Sequence, residues 1–134
     1  MKILIMGLPD SGKTTLARRL AKYLGAAHFN ADEVRQTINS DLGFSREDRI
    51  QQARTMGALC DLAVSAGRIA IADFVCPTDE TRQAFGKVDL TIFMNTHSKS
   101  RYADTNGLFS PPEVADIVIT SFAQSNELLN LIKE

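Results

Sequence analysis

Gly7-Leu8-Pro9-Asp10-Ser11-Gly12-Lys13-Thr14 reads G-x-x-x-x-G-K-T, a spacing that carries a mechanism. The two glycines let the backbone fold back so that successive N–H groups converge on a phosphate. The helix that follows adds its positive dipole end, Lys13 reaches the β- and γ-phosphates, and the Thr14 hydroxyl is placed for Mg²⁺. The run from Gly7 to Thr15 is therefore the expected ATP-binding loop. Asp10 is unusual there. Aspartate tolerates left-handed turn geometry, so it serves the backbone, and it opposes ATP electrostatically if its carboxylate faces inward.

The flanks support this reading. Lys2-Ile3-Leu4-Ile5-Met6 is a short apolar run of the kind buried in a parallel sheet. Lys13 to Leu24 reads as a helix with Leu16, Leu20 and Leu24 on one face and Gly25 at its end. Downstream, the pattern predicts a strand at 26–29, a segment from Asn30 to Arg35 that turns into a helix near Ile38, and a loop at 39–44. Ser45 caps a long helix whose inward face is Ile50, Ala53, Met56, Gly57, Cys60 and Val64. A third strand is expected at 68–75, then Cys76-Pro77 and a short helix capped by Thr78 through Phe85. A fourth strand at 89–94, a long lid-like loop at 95–112, a fifth strand at 114–119 and a helix at 126–133 with Leu128, Leu129 and Ile132 on one face complete the chain.

Strands alternating with helices predict an α/β domain with a mostly parallel sheet and helices on both faces; the 7–14 loop resembles that of P-loop kinases, which implies their three-layer fold, with a parallel five-stranded sheet in the order 2-3-1-4-5. The 134 residues suffice for one domain, 1–134. Fifteen Lys and Arg against 16 Asp and Glu leave a net charge of −1. No global basic field therefore points to nucleic acid or an anionic membrane. No 18-residue apolar run and no signal peptide are visible, which predicts a cytoplasmic protein. Two cysteines make neither a disulfide framework nor a metal site; Cys60 reads as core and Cys76 as structural. His28 reads as a strand residue, because no second His or Cys stands at metal spacing.

Ligands of such sheets bind beyond the carboxyl ends of the strands. There stand the 7–14 loop, Asn30 to Arg35, Asp73 to Pro77, and the 95–112 loop. This layout suits a small-molecule kinase, with ATP and Mg²⁺ as cofactors and small nucleotides as partners. Asp32 is placed to accept a hydrogen bond from an attacking hydroxyl or to hold Mg²⁺ through water. Arg35 and Arg49 are placed for an anionic substrate, and Phe44 for stacking on a planar base. Asp73 ends an apolar strand either as a Mg²⁺ ligand or as a capping carboxylate.

The same residues resemble a known family. Gly7 to Ala17 is similar to the opening GLPGSGKTTLA of adenylylsulfate kinases, Asn30 to Arg35 to their DGDxxR, Leu42 to Arg49 to their LGFSxxDR, and Phe74 to Pro77 to their FISP. The resemblance covers residues 1 to 85. It implies transfer of the γ-phosphate of ATP to the 3′-hydroxyl of adenylylsulfate, with Lys13 and Asp32 catalytic. It also implies Arg35 and Arg49 on the phosphosulfate and Phe44 on the substrate adenine. Gln52 and Cys76 fall at substrate-contacting positions where the family has asparagine and serine. Asp10 stands for a glycine, and Asn30 for the first acid of DGD. The family's lid is abbreviated here to Ser98–Phe109, with Lys99 and Arg101 as candidate lid cations, Arg101 on ATP, and Phe109 expected to complete a sandwich with Phe44. A second copy of the chain is a candidate partner. Two other readings stand beside this one: a kinase with a different hydroxyl acceptor, and a nucleotide-binding module with little catalysis.

Overall fold

The computed structural model describes residues 1–97 and 107–133. Five strands form one sheet in the order β2-β3-β1-β4-β5. They are β1 (Lys2–Gly7), β2 (Ala27–Asn30), β3 (Ala70–Asp73), β4 (Leu90–Met94) and β5 (Ile117–Ile119), and every pairing is parallel. The helices are α1 (Lys13–Leu24), α2 (Ala31–Thr37), α3 (Arg46–Ser65), α4 (Asp79–Phe85) and α5 (Phe122–Lys133). The architecture and strand order are those expected from the sequence.

The period-two alternation of the strands divides the core in two. Ile3, Ile5, Ile71, Ile92 and Ile119 face Leu16, Ala17 and Leu20 of α1 and Leu129 of α5. Leu4, Met6, Ala70, Ala72 and Phe93 face Ala53, Met56 and Cys60 of α3 and Phe85 of α4. Both faces of the sheet are covered, which is why β1 is apolar without alternation. Gly57 sets the closeness of α3 to α4: a Cβ there would stand 2.1 Å from the Phe85 carbonyl oxygen. Among the described residues, no helix is long and apolar enough to cross a membrane.

Several boundaries differ from expectation. β3 is shorter than 68–75, because the chain leaves the sheet after Asp73 and turns at Cys76, which adopts φ 47°. Asn30 caps α2 by accepting from the Glu33 amide, so the helix starts at Ala31 and is finished by Ile38. β5 begins at Ile117 rather than 114; Pro111 and Pro112 lack N–H donors, and Val114 is 83% exposed. α5 begins four residues earlier than 126. Ser121 Oγ accepts from the Gln124 amide, and Gln124 Oε1 accepts from the Thr120 amide. Of its expected inward face, Leu129 is buried and Leu128 packs against the core, but Ile132 is 37% exposed.

Candidate active site

Beyond the carboxyl ends of β1, β2 and β3 lies an open cavity of about 1150 Å³. The 7–14 loop forms its floor. Asp10 and Gly12 take left-handed conformations, φ 65° and 95°, which turns successive amides into a nest for an anion. Gly12 has no room for a side chain, since a Cβ would stand 2.9 Å from the Phe122 ring. The outer carbonyls of the loop are tied down: the Thr96 hydroxyl donates to Ser11 O at 3.0 Å and His97 Nε2–H to Pro9 O at 2.9 Å. Pro9, Asp10, Gly12, Lys13, Thr14 and Thr15 line the cavity, while Leu8 and Ser11 are buried beneath it.

Lys13 is 8% exposed, and its ammonium donates to Leu8 O at 2.8 Å. Burial lowers its pKa to about 8, against the opposing charges of Asp73, Asp32 and Asp10. An incoming phosphate would restore the cation. Thr14 donates its hydroxyl hydrogen to Asp73 Oδ1 at 2.8 Å, and Asn30 Nδ2 reaches both Thr14 Oγ1 and Asp73 Oδ1 at 3.2 Å. His28 Nε2 contacts the other Asp73 oxygen. Thr14 and Asp73 are hard oxygen donors beside a phosphate cradle. Among the described residues no group of three or more His, Cys, Asp or Glu could cage a metal. The Thr14 and Asp73 oxygens suit Mg²⁺, which takes one or two protein oxygens and completes its shell with phosphate and water.

The far wall comes from α2 and α3. Asp32 opens α2 at the surface, and its charge acts on both Lys13 and Arg35. Arg35 lies one turn on. Its guanidinium donates to Gly43 O at 2.8 Å and sits 4.4 Å over the Phe44 ring. Burial and the neighbouring Arg49 lower its pKa. Arg49 donates Nε–H to Phe44 O at 3.0 Å and lies 5.7 Å from the same ring. Phe44 itself is 68% exposed. Two cations and an open aromatic face therefore stand opposite the phosphate loop.

Of the other expected residues, Gln52 and Cys76 line the cavity and Phe109 does not. Gln52 lines the cavity, yet its amide braces α2 against α3: Nε2 donates to Ala31 O at 3.1 Å, and Oε1 accepts from Asn39 at 2.8 Å. Cys76 also lines the cavity, with its thiol pushed up to about 12 by burial despite Thr81 and Arg82 nearby. It stays protonated. Phe109 is seated against Phe93, with ring centroids 5.9 Å apart, and packs on the α3–α4 side of the core, not against Phe44. Its apolar ring finds more burial there than at an open cavity mouth. Lys99 and Arg101 lie outside the described residues.

Three features in and beneath the cavity escaped the sequence reading. Phe122 lines the mouth beside Gly12, and the S-x-x-Q pattern at 121–124 was the signal for the helix start that puts it there. Asn30 bridges Thr14 and Asp73, and His28 bonds Asp73. The last two share a strand face by their i, i+2 spacing, which a search for metal-ligand spacing does not register.

The adenylylsulphate kinase family model matches residues 1–122. The chain belongs to that family. An adenylyl-sulfate kinase of Bacillus licheniformis is 30% identical over 166 residues, taking in 98% of this chain and 84% of that one. That span exceeds the 134 residues present here, so the family member from Bacillus carries residues without a counterpart in this chain. The bifunctional enzyme CysN/CysC of Rhodopirellula baltica is 32% identical over 86% of this chain, which spans only 20% of that protein's length. The structure of the Mycobacterium tuberculosis APS kinase CysC, in complex with AMPPNP and APS, matches with a TM-score of 0.81 at 20% identity, covering 99% of this chain and 97% of that one. At that identity the likeness speaks for the fold.

Proposed function

We propose that this chain transfers the γ-phosphate of ATP to the 3′-hydroxyl of adenylylsulfate, giving 3′-phosphoadenylylsulfate and ADP. The observation that carries the reading is the pairing of the Lys13–Thr14 phosphate cradle with Asp32, Arg35, Arg49 and Phe44 around one cavity. The amides of the 7–15 loop hold the β- and γ-phosphates. Lys13 leaves Leu8 O for the transferring phosphoryl group and follows its charge. Thr14, backed by Asp73, would hold Mg²⁺, and Asp32 would be the further carboxylate able to act on it through water. When bound, the cation neutralises charge developing on the phosphate oxygens.

Asp32 accepts the hydrogen of the attacking 3′-hydroxyl and aims its lone pair at phosphorus. Arg35 and Arg49 hold the phosphosulfate, and the open face of Phe44 takes the adenine. Arg101 is assigned to the ATP side from the lid. Asn30 and Asp73 are register partners on adjacent strands. The acid that the family's DGD places at position 30 is thus supplied here one strand over, at position 73.

The engaged amide of Gln52 favours a second reading within the same chemistry, a hydroxyl acceptor other than adenylylsulfate. ADP release with Mg-ATP, with and without adenylylsulfate, separates the two. Release stimulated by adenylylsulfate and abolished in Lys13→Ala is the expected result. Mg-ATP binding without stimulation refutes the adenylylsulfate assignment and moves it to another acceptor.

A further inference from the structure

We propose that His28 is a positioning residue for the metal subsite: it holds the Asp73 carboxylate where that group takes the Thr14 hydroxyl hydrogen, leaving a lone pair of the Thr14 oxygen, beside the one that faces Asn30, for a divalent cation. The inference rests on reading the 7–15 loop as a Mg²⁺–nucleotide site.

The geometry is set by the sheet. His28 and Asn30 are two apart on β2 and so share a face. Asn30 pairs with Asp73 in the parallel register, and His28 pairs with Ile71. Ile71 packs on the α1 side of the sheet, so all four side chains lie under the start of α1, where Thr14 stands. Asp73 is 2% exposed. A buried carboxylate keeps its orientation only while its lone pairs have donors. Oδ1 has two, Thr14 at 2.8 Å and Asn30 at 3.2 Å. On Oδ2 the Asn30 contact is long, 3.4 Å, and the close donor is His28 Nε2. Without the imidazole, Oδ2 is left under-satisfied in a buried site. A carboxylate free to turn loses its aim on the Thr14 hydroxyl. A carboxylate oxygen only accepts, so His28 Nε2 is the donor.

Calorimetric titration of ADP into the full chain, in EDTA and across a Mg²⁺ series, tests this. Wild type is expected to bind ADP more tightly as Mg²⁺ rises. In His28→Leu, which fills the space without a donor, the Mg²⁺ concentration giving half of that gain should rise about tenfold or more, with affinity in EDTA within about twofold of wild type. His28→Gln, whose amide nitrogen has similar reach, should return to within about threefold. An unchanged Mg²⁺ dependence in His28→Leu overturns the proposal. So do equal losses with and without Mg²⁺, or His28→Gln behaving as His28→Leu does. If His28→Leu does not fold, ¹⁵N spectra of the wild-type imidazole decide: the His28 Nε2 signal must move when Mg²⁺ is added to the ADP complex, and a signal that stays put overturns it. Wild type that binds no ADP refutes the nucleotide-site reading as well. Mg²⁺-dependent binding that His28→Leu leaves intact refutes this inference alone.

Discussion

Moving one buried carboxylate across the sheet puts a number on the Asn30–Asp73 pair. Asn30 is 9% exposed and Asp73 2%, and the Asn30 amide nitrogen is 3.2 Å from both Asp73 Oδ1 and Thr14 Oγ1. Asn30→Asp alone brings two carboxylates to about 4 Å. At an effective dielectric constant of about 20 their repulsion is about 4 kcal/mol, equivalent to a shift of about 3 pH units in the titration of the pair. A carboxyl raised in the folded state leaves stability intact below the unfolded pKa, near 4. The loss then grows as pH rises and is complete above about 7. At about 4 °C per kcal/mol for a domain of this size, Asn30→Asp should melt about 15 °C below wild type at pH 8 and only about 6 °C below it at pH 5. Asp73→Asn removes the only charge of the pair and should lower Mg²⁺-dependent turnover by about 10- to 100-fold. The double variant Asn30→Asp/Asp73→Asn again has one carboxylate. That residue can still accept the Glu33 amide as helix cap, and it stands within reach of Thr14. Its melting temperature should lose the pH dependence of Asn30→Asp, and its turnover should recover most of what Asp73→Asn loses. Melting curves at the two pH values and turnover across a Mg²⁺ series are the assays. Two results refute the reasoning: an Asn30→Asp variant as stable at pH 8 as at pH 5, or a folded double variant no more active than Asp73→Asn.

Lys13 and Phe109 supply two further tests. The buried Lys13 amine, with its pKa lowered to about 8, becomes a cation at phosphate. Nucleotide binding should therefore take up close to one proton at pH 9 and almost none at pH 6.5, as read from calorimetry in buffers of different ionisation enthalpy; zero uptake at pH 9 contradicts it. Phe109→Ala removes a ring packed on Phe93, so it should cost about 2 kcal/mol in denaturant unfolding while leaving the acceptor KM unchanged. A raised KM at unchanged stability would restore the expected sandwich with Phe44.

What was legible in the sequence follows from the range of the interactions involved. Helix α1, bounded by Gly12 and Gly25, and the Thr78 cap of α4 are local patterns, decided within a few residues of chain; they were read at the right residues. The parallel sheet followed from the alternation of strands and helices, and its strand order from the fold that the resemblance to P-loop kinases implies. Strand ends were read too long at β3 and β5. Apolar composition continues past the point where pairing stops, and pairing is decided by the neighbouring strand. Phe109 was misplaced for a related reason. Its position in a loop suggested a ligand-facing role, but Phe93, sixteen positions earlier, offered it a buried surface.

The Asp73 network shows the same limit at the candidate site. Read letter by letter against the family motif, Asn30 is a loss, because an amide stands where the motif has an acid. The parallel register places Asn30 directly beside Asp73, with the Thr14 hydroxyl within hydrogen-bonding distance of both. Position 30 keeps a helix cap, which asparagine serves as well as aspartate. The charge stands at the end of the adjacent strand, under the same threonine. Two acids there would repel in a buried site, and two amides would leave no anion for a cation. One of each, on paired positions, satisfies both constraints, and the choice of strand is then close to neutral. A motif search scores the two positions separately, although the chemistry depends on their sum.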